Sequence, residues 1–238
     1  MNDSADRKII LTVCVAVYNI CDEFLRSCIE SLISDKYENV EILLGDDGSH
    51  RQTADICAEY AKKDLRVRHI RREANSGVSV TRNIMIQSAR GEWISFVDGD
   101  DAVLNGYSEC LCNAVKEAEH TYDIIMYEWE RFKGSVPPGK AVRVPPVPVP
   151  CRAARQFSEA CLTGAPPHTE EYGITESTPS SVCNKMYRRG FLIENNLMFV
   201  PGIKKSQDVI FNTQAYFKCK CLGYIPEKLY LYRKNSGS

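Results

Sequence analysis

Apolar residues, many of them β-branched, run almost unbroken through "IILTVCVAVYN" (9–19), which predicts a strand buried on both faces. The run stops at Tyr18-Asn19 and the period changes. In "DEFLRSCIESLI", Phe24, Leu25, Cys28, Ile29, Leu32 and Ile33 fall on one helical face, with Asp22 as its cap. "VEILLGDDGS" (40–49) is a short apolar strand that runs into two aspartates and a Gly-Ser turn. A helix over 52–63, a strand over 67–72, a helix over 78–90 ended by Gly91, and a buried strand over 92–98 follow. Strand and helix thus alternate with short connections. The pattern predicts an α/β fold: a mostly parallel central sheet with helices on both faces. Such sheets bind ligands at the carboxyl ends of their strands. Tyr18-Asn19, Asp46-Asp47-Gly48-Ser49 and Asp98-Gly99-Asp100-Asp101 each follow the last apolar residue of a different strand, so all three should meet at one edge.

Beyond residue 101 the pattern loosens. It predicts a helix over 107–119 and an alternating strand over 122–132. Residues 133–150 hold six of the eleven prolines, so they are expected to form a loop or an extended excursion, not a central strand. A helix over 153–163 precedes a second irregular stretch, 164–181. Order returns with "VCNKMYRRGFLIENN". The helix 206–218 is expected to turn Val209, Ile210, Phe211 and Phe217 to the core, and 228–233 closes as a strand.

Composition narrows the function classes. A formal net charge of −1 gives no footprint for nucleic acid or an anionic membrane. No apolar run is long enough to span a bilayer, and the N-terminus lacks a signal-peptide pattern, so a cytoplasmic location is expected. Eleven cysteines, an odd number without CxxC spacing, read as small buried apolar residues in a reducing compartment. Four scattered histidines, His50, His69, His120 and His168, show no zinc-ligand spacing.

The chemistry concentrates in "FVDGDD" (96–101). A single aspartate after a strand is most simply a solvated helix cap. Three within four positions repel one another, and a divalent cation with hard oxygen ligands, Mg2+ or Mn2+, relieves that crowding. No Walker A loop is present, and no GxGxxG follows the first strand, which disfavours kinase, P-loop and dehydrogenase readings.

"VAVYN", "GDDGS", "NSGVSVTRN", "GEWISFVDGDD", "NKMYRRGFL" and "SQDVIFN", in this order, resemble the family 2 glycosyltransferases with the GT-A fold. The resemblance frames most of the chain apart from roughly 130 to 180. It implies one domain over 1–238, with 8–104 as the nucleotide-sugar-binding half. The acceptor-side half is then 105–238, including the irregular 133–181 excursion. It places Ala16, Val17 and Tyr18 beside the base of a nucleotide-sugar, with UDP-sugars foremost. Asp47 would then accept a hydrogen bond from the base edge, with Asp46 nearby. Asp98-Gly99-Asp100 would be the DxD motif, Asp98 near ribose and metal and Asp100 the principal metal ligand. Asp101 would support the sugar or metal shell, and Arg82 would offset diphosphate charge. Asp208 falls where the family keeps its catalytic base. The activity implied is inverting, metal-dependent transfer of a sugar to an acceptor hydroxyl. By analogy the acceptor is a saccharide or lipid-linked precursor of surface polysaccharide or glycolipid, so peripheral contact at the inner membrane face is compatible.

Two departures stand out. Ala16 replaces a frequent proline, and Gln207 replaces the Glu of the usual Glu-Asp pair. The second leaves Asp208 without an adjacent carboxylate to raise its pKa. Asp208 is also far along the chain from the acidic cluster, so its loss is expected to spare donor and metal binding. A catalytically silent nucleotide-sugar-binding or partner-binding module of the same fold is the alternative. A sugar-phosphate nucleotidyltransferase is disfavoured, because no Gly- and Arg-rich loop follows the first strand.

Overall fold

The computed structural model describes residues 8–116, 118, 121–164, 174 and 179–234. Its first half is built from β1 (Leu11–Val17), β2 (Val40–Asp46), β3 (Val67–Arg71) and β4 (Trp93–Asp98), all parallel, in the order β3-β2-β1-β4. The connections are α1 (Asp22–Ser34), α2 (Arg51–Lys63) and α3 (Val78–Ser88). β1 lies between β2 and β4, so Val13, Cys14 and Val15 are fully buried, which is why the strand reads as an unbroken apolar run.

The register positions the site. Val17 pairs with Asp46, and Ala16 pairs with Asp98. The ends of three strands therefore lie side by side at one edge, as the sequence pattern predicts.

The second half continues the same sheet with mixed pairing. β4 meets β8 (Lys185–Arg188) antiparallel, and β8 meets β6 (Ile124–Phe132) antiparallel. β6 pairs in parallel with β9 (Leu222–Arg233), which also pairs with the short β5 (Ala102–Val103). The remaining helices are α4 (Tyr107–Lys116), α5 (Cys151–Thr163), α6 (Arg189–Glu194) and α7 (Gln207–Lys218). No helix among the described residues is long and apolar enough to cross a membrane.

Several local expectations need correction. Cys21, not Asp22, holds the cap position of α1, and Asp22 is its first helical residue, where the Gln52 amide binds it. α3 stops at Ala89, before Gly91. Gly91 serves instead as a close approach to β1: a Cβ there would lie 2.5 Å from the Thr12 nitrogen. Within the proline-rich stretch, β7 (Val147–Val149) pairs with β9, and Pro148 is tolerated because the strand is an outlying one. In α7 the buried stripe is Phe211, Asn212, Ala215 and Tyr216, whereas Phe217 is 74% exposed on the opposite side. Val209 packs against the core from a partly buried position. Most of the 164–181 stretch, the end of the helix expected over 107–119, and His120 and His168 lie outside the described residues.

Among the described cysteines, Cys14, Cys28, Cys57, Cys110, Cys112, Cys161, Cys183 and Cys219 are buried, in line with the apolar reading of the thiols. One core runs through both halves. Its aromatic centre, Phe96, Tyr187, Phe199 and Phe211, includes a stacked pair, Phe199 and Phe211, with centroids 4.1 Å apart. Arg82 lies over two of these rings, Phe96 and Phe199.

Candidate active site

At the edge, Val17 is buried, Ala16 partly so, and Tyr18 stands 48% exposed. The chain turns at Asn19, whose φ of 48° is left-handed, a conformation asparagine tolerates. The Asn19 amide donates to Ser49 Oγ (3.1 Å), and the His50 amide donates to Asn19 Oδ1 (2.8 Å). The loops after β1 and β2 are thereby tied together.

Asp46 and Asp47 are both buried. The Ser49 amide donates to Asp46 Oδ1 at 2.8 Å, and His69 Nε2 approaches Oδ2 at 3.4 Å. Burial pushes this carboxyl up, but the bonds from His69 and Ser49 outweigh it and hold the pKa below its usual value. The amides of Ser76 (3.1 Å) and Gly77 (2.8 Å) and Arg72 Nη1 (3.2 Å) all donate to Asp47. Its carboxylate, expected at a base edge, is thus turned to the 72–77 loop. The cause is local: Gly77 caps α3 without a side chain, so the loop's free N–H groups need an acceptor from elsewhere.

Arg82, on α3, is the centre of the site. It is 3% exposed and lies over the rings of Phe199 (5.2 Å) and Phe96 (5.9 Å). Nη2 donates to Asp98 Oδ1 at 2.9 Å, and Nη1 donates to Asp208 Oδ1. One guanidinium therefore bridges the end of β4 to the first turn of α7. Burial works against its charge, yet Asp98 and Asp208 hold it well above the usual guanidinium value. The fork of Arg82, expected toward a diphosphate, is engaged with both carboxylates.

Asp208 is raised above an ordinary carboxyl. Burial is the main cause; Arg82 opposes it, and the negative charge of Asp98 adds to it. The like-charged neighbour that Gln207 fails to provide is thus supplied across the fold by Asp98. Ser206 holds the cap position of α7 with φ 64° and makes no side-chain cap bond.

The acidic cluster divides its tasks. The Asp98 side chain is 42% exposed, and Asp100 is partly exposed. Gly99 is buried, and a Cβ there would lie 2.5 Å from Ile20 Cδ1, so only glycine lets this turn pack on the loop after β1. Asp101 turns inward. Tyr230 Oη donates to its Oδ2, and the Arg233 amide donates to Oδ1 at 2.7 Å. Burial pushes Asp101 up to about 7 despite those two bonds, with Asp98 and Asp100 adding to the rise. Asp101, expected in a sugar or metal shell, anchors the turn to β9 and also lines a cleft beside Asp98.

The motif reading missed the opposite wall. Segment 180–185 runs past Asp208, and the Val182 amide bonds to it. Lys185, fully buried, donates to the Ser181 carbonyl and to Asn184 Oδ1 (2.6 Å). Asn184 Nδ2 donates to the Tyr127 carbonyl (3.3 Å), and Asn212 Nδ2 donates to the Ser180 carbonyl (2.8 Å). The "NK" of "NKMY" is the signal that pointed here: a polar pair inside an apolar strand needs buried partners.

The profile of Glycosyl transferase family 2 matches residues 12–174. An uncharacterized glycosyltransferase of Bacillus subtilis, EpsJ, is 31% identical over 96% of this chain and 62% of its own length. The chain spans about three fifths of the length of the first curated relatives it matches. The structure of S. aureus TarS residues 1–349 with UDP-GlcNAc superposes with a TM-score of 0.74 at 22% identity, over 97% of this chain and 60% of that one. The mannosyltransferase PcManGT of Pyrobaculum calidifontis, with GDP-Man and Mn2+, gives 0.66 at 16% identity, over 97% and 59%. These structural likenesses establish the fold, GT-A.

Proposed function

The chain belongs to glycosyl transferase family 2, and from that premise we propose that it transfers a sugar, with inversion, from a nucleotide-diphosphate sugar to an acceptor hydroxyl. The observation that carries this reading is the Asp98–Arg82–Asp208 bridge, which joins three distant motifs at the carboxyl edge of the sheet. TarS binding UDP-GlcNAc supports a UDP-sugar as the first donor to try. The acceptor proposed is a saccharide or lipid-linked precursor of a surface polymer; a teichoic acid biosynthesis protein of Bacillus subtilis, 34% identical over 48% of this chain, supports that choice.

Each residue then takes a role. Ala16, Val17 and Tyr18 border the base, and Asp47 and Asp46 shape its pocket through the loops they hold. Asp208 is the base that deprotonates the acceptor hydroxyl. A carboxyl raised above its ordinary pKa is the better matched base, because general-base efficiency rises as the pKa approaches the working pH. Arg82 is a positioning residue: it holds Asp208 and Asp98 in one fixed relation and opposes the rise that burial imposes on Asp208.

Asp98 and Asp100 present hard oxygens at a partly exposed edge, and this donor set fits Mg2+ or Mn2+. Among the described residues no group of three or more candidate ligands is assembled, so donor phosphates and water must complete any such shell. When bound, the cation offsets the charge that develops on the departing diphosphate.

A thermal-shift panel of nucleoside diphosphates and nucleotide-sugars, with Mn2+ and with EDTA, followed by product analysis, tests the reading. Stabilisation by one nucleotide class and sugar transfer are expected; binding without any transfer or hydrolysis identifies the silent module instead. Asp208→Asn should lower transfer by about 10²–10⁴-fold, the range for losing a general base. Because Asp208 and Asp98 share Arg82, the same change should also alter donor affinity, against the expectation that the two are independent.

A further inference from the structure

Two sequence motifs have ends that the transfer site does not use: Glu92-Trp93 of "GEWISFVDGDD" and Arg188-Arg189 of "NKMYRRGFL". β4 is six residues long, so Trp93 at its start lies about 17 Å from Asp98 at its end. β8 runs antiparallel beside it, and Arg188 pairs with Trp93 in register. Around them is a cleft of about 470 Å³, lined also by Glu92, Thr121, Tyr122 and Arg189. Consecutive side chains of a strand point to opposite faces, but β8 gives way to α6 at this pair, and both arginines line the one cleft. Their backbone is pinned. The Arg188 amide donates to the Asp123 carbonyl (2.9 Å), and the Arg189 amide donates to the Glu92 carbonyl (2.7 Å).

The charges there do not balance. Asp123 accepts from Arg188 Nη2 at 3.0 Å, but it also serves the amides of Lys220 (2.9 Å) and Cys221 (3.3 Å). Glu194 stands 3.6 Å from Arg188 Nη1 with its side chain 64% exposed, so its pairing is weak. Glu92 is drawn to Lys8 at 2.8 Å. Arg189 has no ion pair or side-chain hydrogen bond among the described residues. The Nε of each arginine is buried and has no hydrogen-bond partner among those residues. A buried N–H left unmet is costly, so these two groups mark where an acceptor belongs.

We propose that this cleft is a phosphate-binding site, separate from the edge that holds Asp98, Arg82 and Asp208. A tetrahedral phosphate can be shared by two guanidiniums that approach from different sides, whereas a planar carboxylate is matched by a single fork. The Thr121 hydroxyl adds a neutral donor at the same opening. The volume exceeds what a bare phosphate fills and lies in the range of small-molecule sites. The rings of Trp93 and Tyr122 offer an apolar wall to the organic part of a small phosphate ester. The site does not depend on the transferase reading.

The chain's two tryptophans make the test internal: Trp93 lines this cleft, and Trp129 lines the one beside Asp98. The protein labelled with 5-fluorotryptophan is titrated, at constant ionic strength and without metal, with inorganic phosphate, glycerol 3-phosphate or acetate. Fluorine NMR follows both resonances, which Trp129→Phe assigns. A saturable shift of Trp93, with Trp129 unmoved, is expected for the two phosphate compounds and not for acetate. Either phosphate compound supports the site; a lower midpoint for glycerol 3-phosphate identifies an ester as the ligand, and equal midpoints identify the free ion. Arg189→Gln removes a partly exposed side chain that has no partner to lose. It should raise the midpoint at least tenfold and leave both resonances in place as the mark of an intact fold. No shift at Trp93, an equal shift with acetate, or an unchanged midpoint in Arg189→Gln overturns the site. Movement of Trp129 together with Trp93 also overturns it, because the phosphate is then at the Asp98 edge.

Discussion

Lys185 offers a prediction that depends on burial alone. Its ammonium is fully buried, and desolvation pulls its pKa from 10.5 down to about 7 against the opposing influence of Cys161, Cys183 and Asp208. In the unfolded chain this lysine holds its proton up to about pH 10.4, while in the fold it gives the proton up near neutrality. Between those values the unfolded state binds more protons, so stability must rise with pH. Below pH 7 both states are protonated, and the fold carries the full penalty, on the order of 5 kcal/mol. Lys185→Met keeps the length of the side chain and removes the charge. It also removes the bonds to Ser181 and Asn184, a loss of about 1–3 kcal/mol that does not vary with pH. The variant should therefore be more stable than the parent below neutrality and about equal to it near pH 9.

Urea unfolding across about pH 6–9 measures this directly, with each pH unit in the sloping window worth about 1.4 kcal/mol. The stability difference between variant and parent should narrow by about 2 kcal/mol between pH 7 and 9. The window must stop there. Thiols of the unfolded chain ionise near 9, while burial holds Cys14, Cys28 and Cys183 well above that, so stability falls again in stronger alkali. Taking the difference between two proteins with the same cysteines cancels that fall. Parallel curves for parent and variant would show that Lys185 keeps its charge in the fold, and the argument from desolvation would be wrong.

Two further outcomes follow from the bridge and the loops. Arg82→Met should destabilise the fold by about 3 kcal/mol, the low end for breaking a buried pair because both carboxylates keep some water. Arg82→Lys should not restore activity, since one ammonium cannot span Asp98 and Asp208 as the fork does; a lysine variant with parental kcat refutes the bridge. Asp47→Asn should cost about 1–3 kcal/mol and speed hydrogen exchange at the Ser76 and Gly77 amides. Unchanged exchange at those amides would mean the loop is held by something else.

What could be read in advance was whatever depends on near neighbours in the chain. β-branched apolar runs ending in Asp or Asn mark where strands stop, and alternation with helices makes those stops meet, as the register of Ala16 with Asp98 and Val17 with Asp46 bears out. Contacts made at long range could not be read. Asp208 lies 126 residues from the guanidinium that holds it, and no local pattern pairs them. Nor does the sequence say that Asp101 turns inward, because a tight turn aims consecutive side chains in different directions and β9 arrives 132 residues later. Nor does a local pattern announce that Asp47 holds the 72–77 loop. A carboxylate at a strand end satisfies loop amides as readily as a ligand.

The crowded aspartates are relieved by three separate means, and this bears on the metal. Asp98 gives one oxygen to Arg82. Asp101 is raised to about 7 and anchored by Tyr230, so near neutrality it carries only part of a charge. Asp100 stays at the partly exposed edge, where its backbone carbonyl takes Arg233 Nε at 2.7 Å and fixes the turn. Repulsion among the three is thus largely settled by the protein's own groups. A cation of the kind proposed would draw on the second oxygen of Asp98, on Asp100 and on the donor's phosphates together. Such a site is assembled with the nucleotide and not before it, so Mn2+ and nucleoside diphosphate should bind with mutual enhancement, each weakly alone.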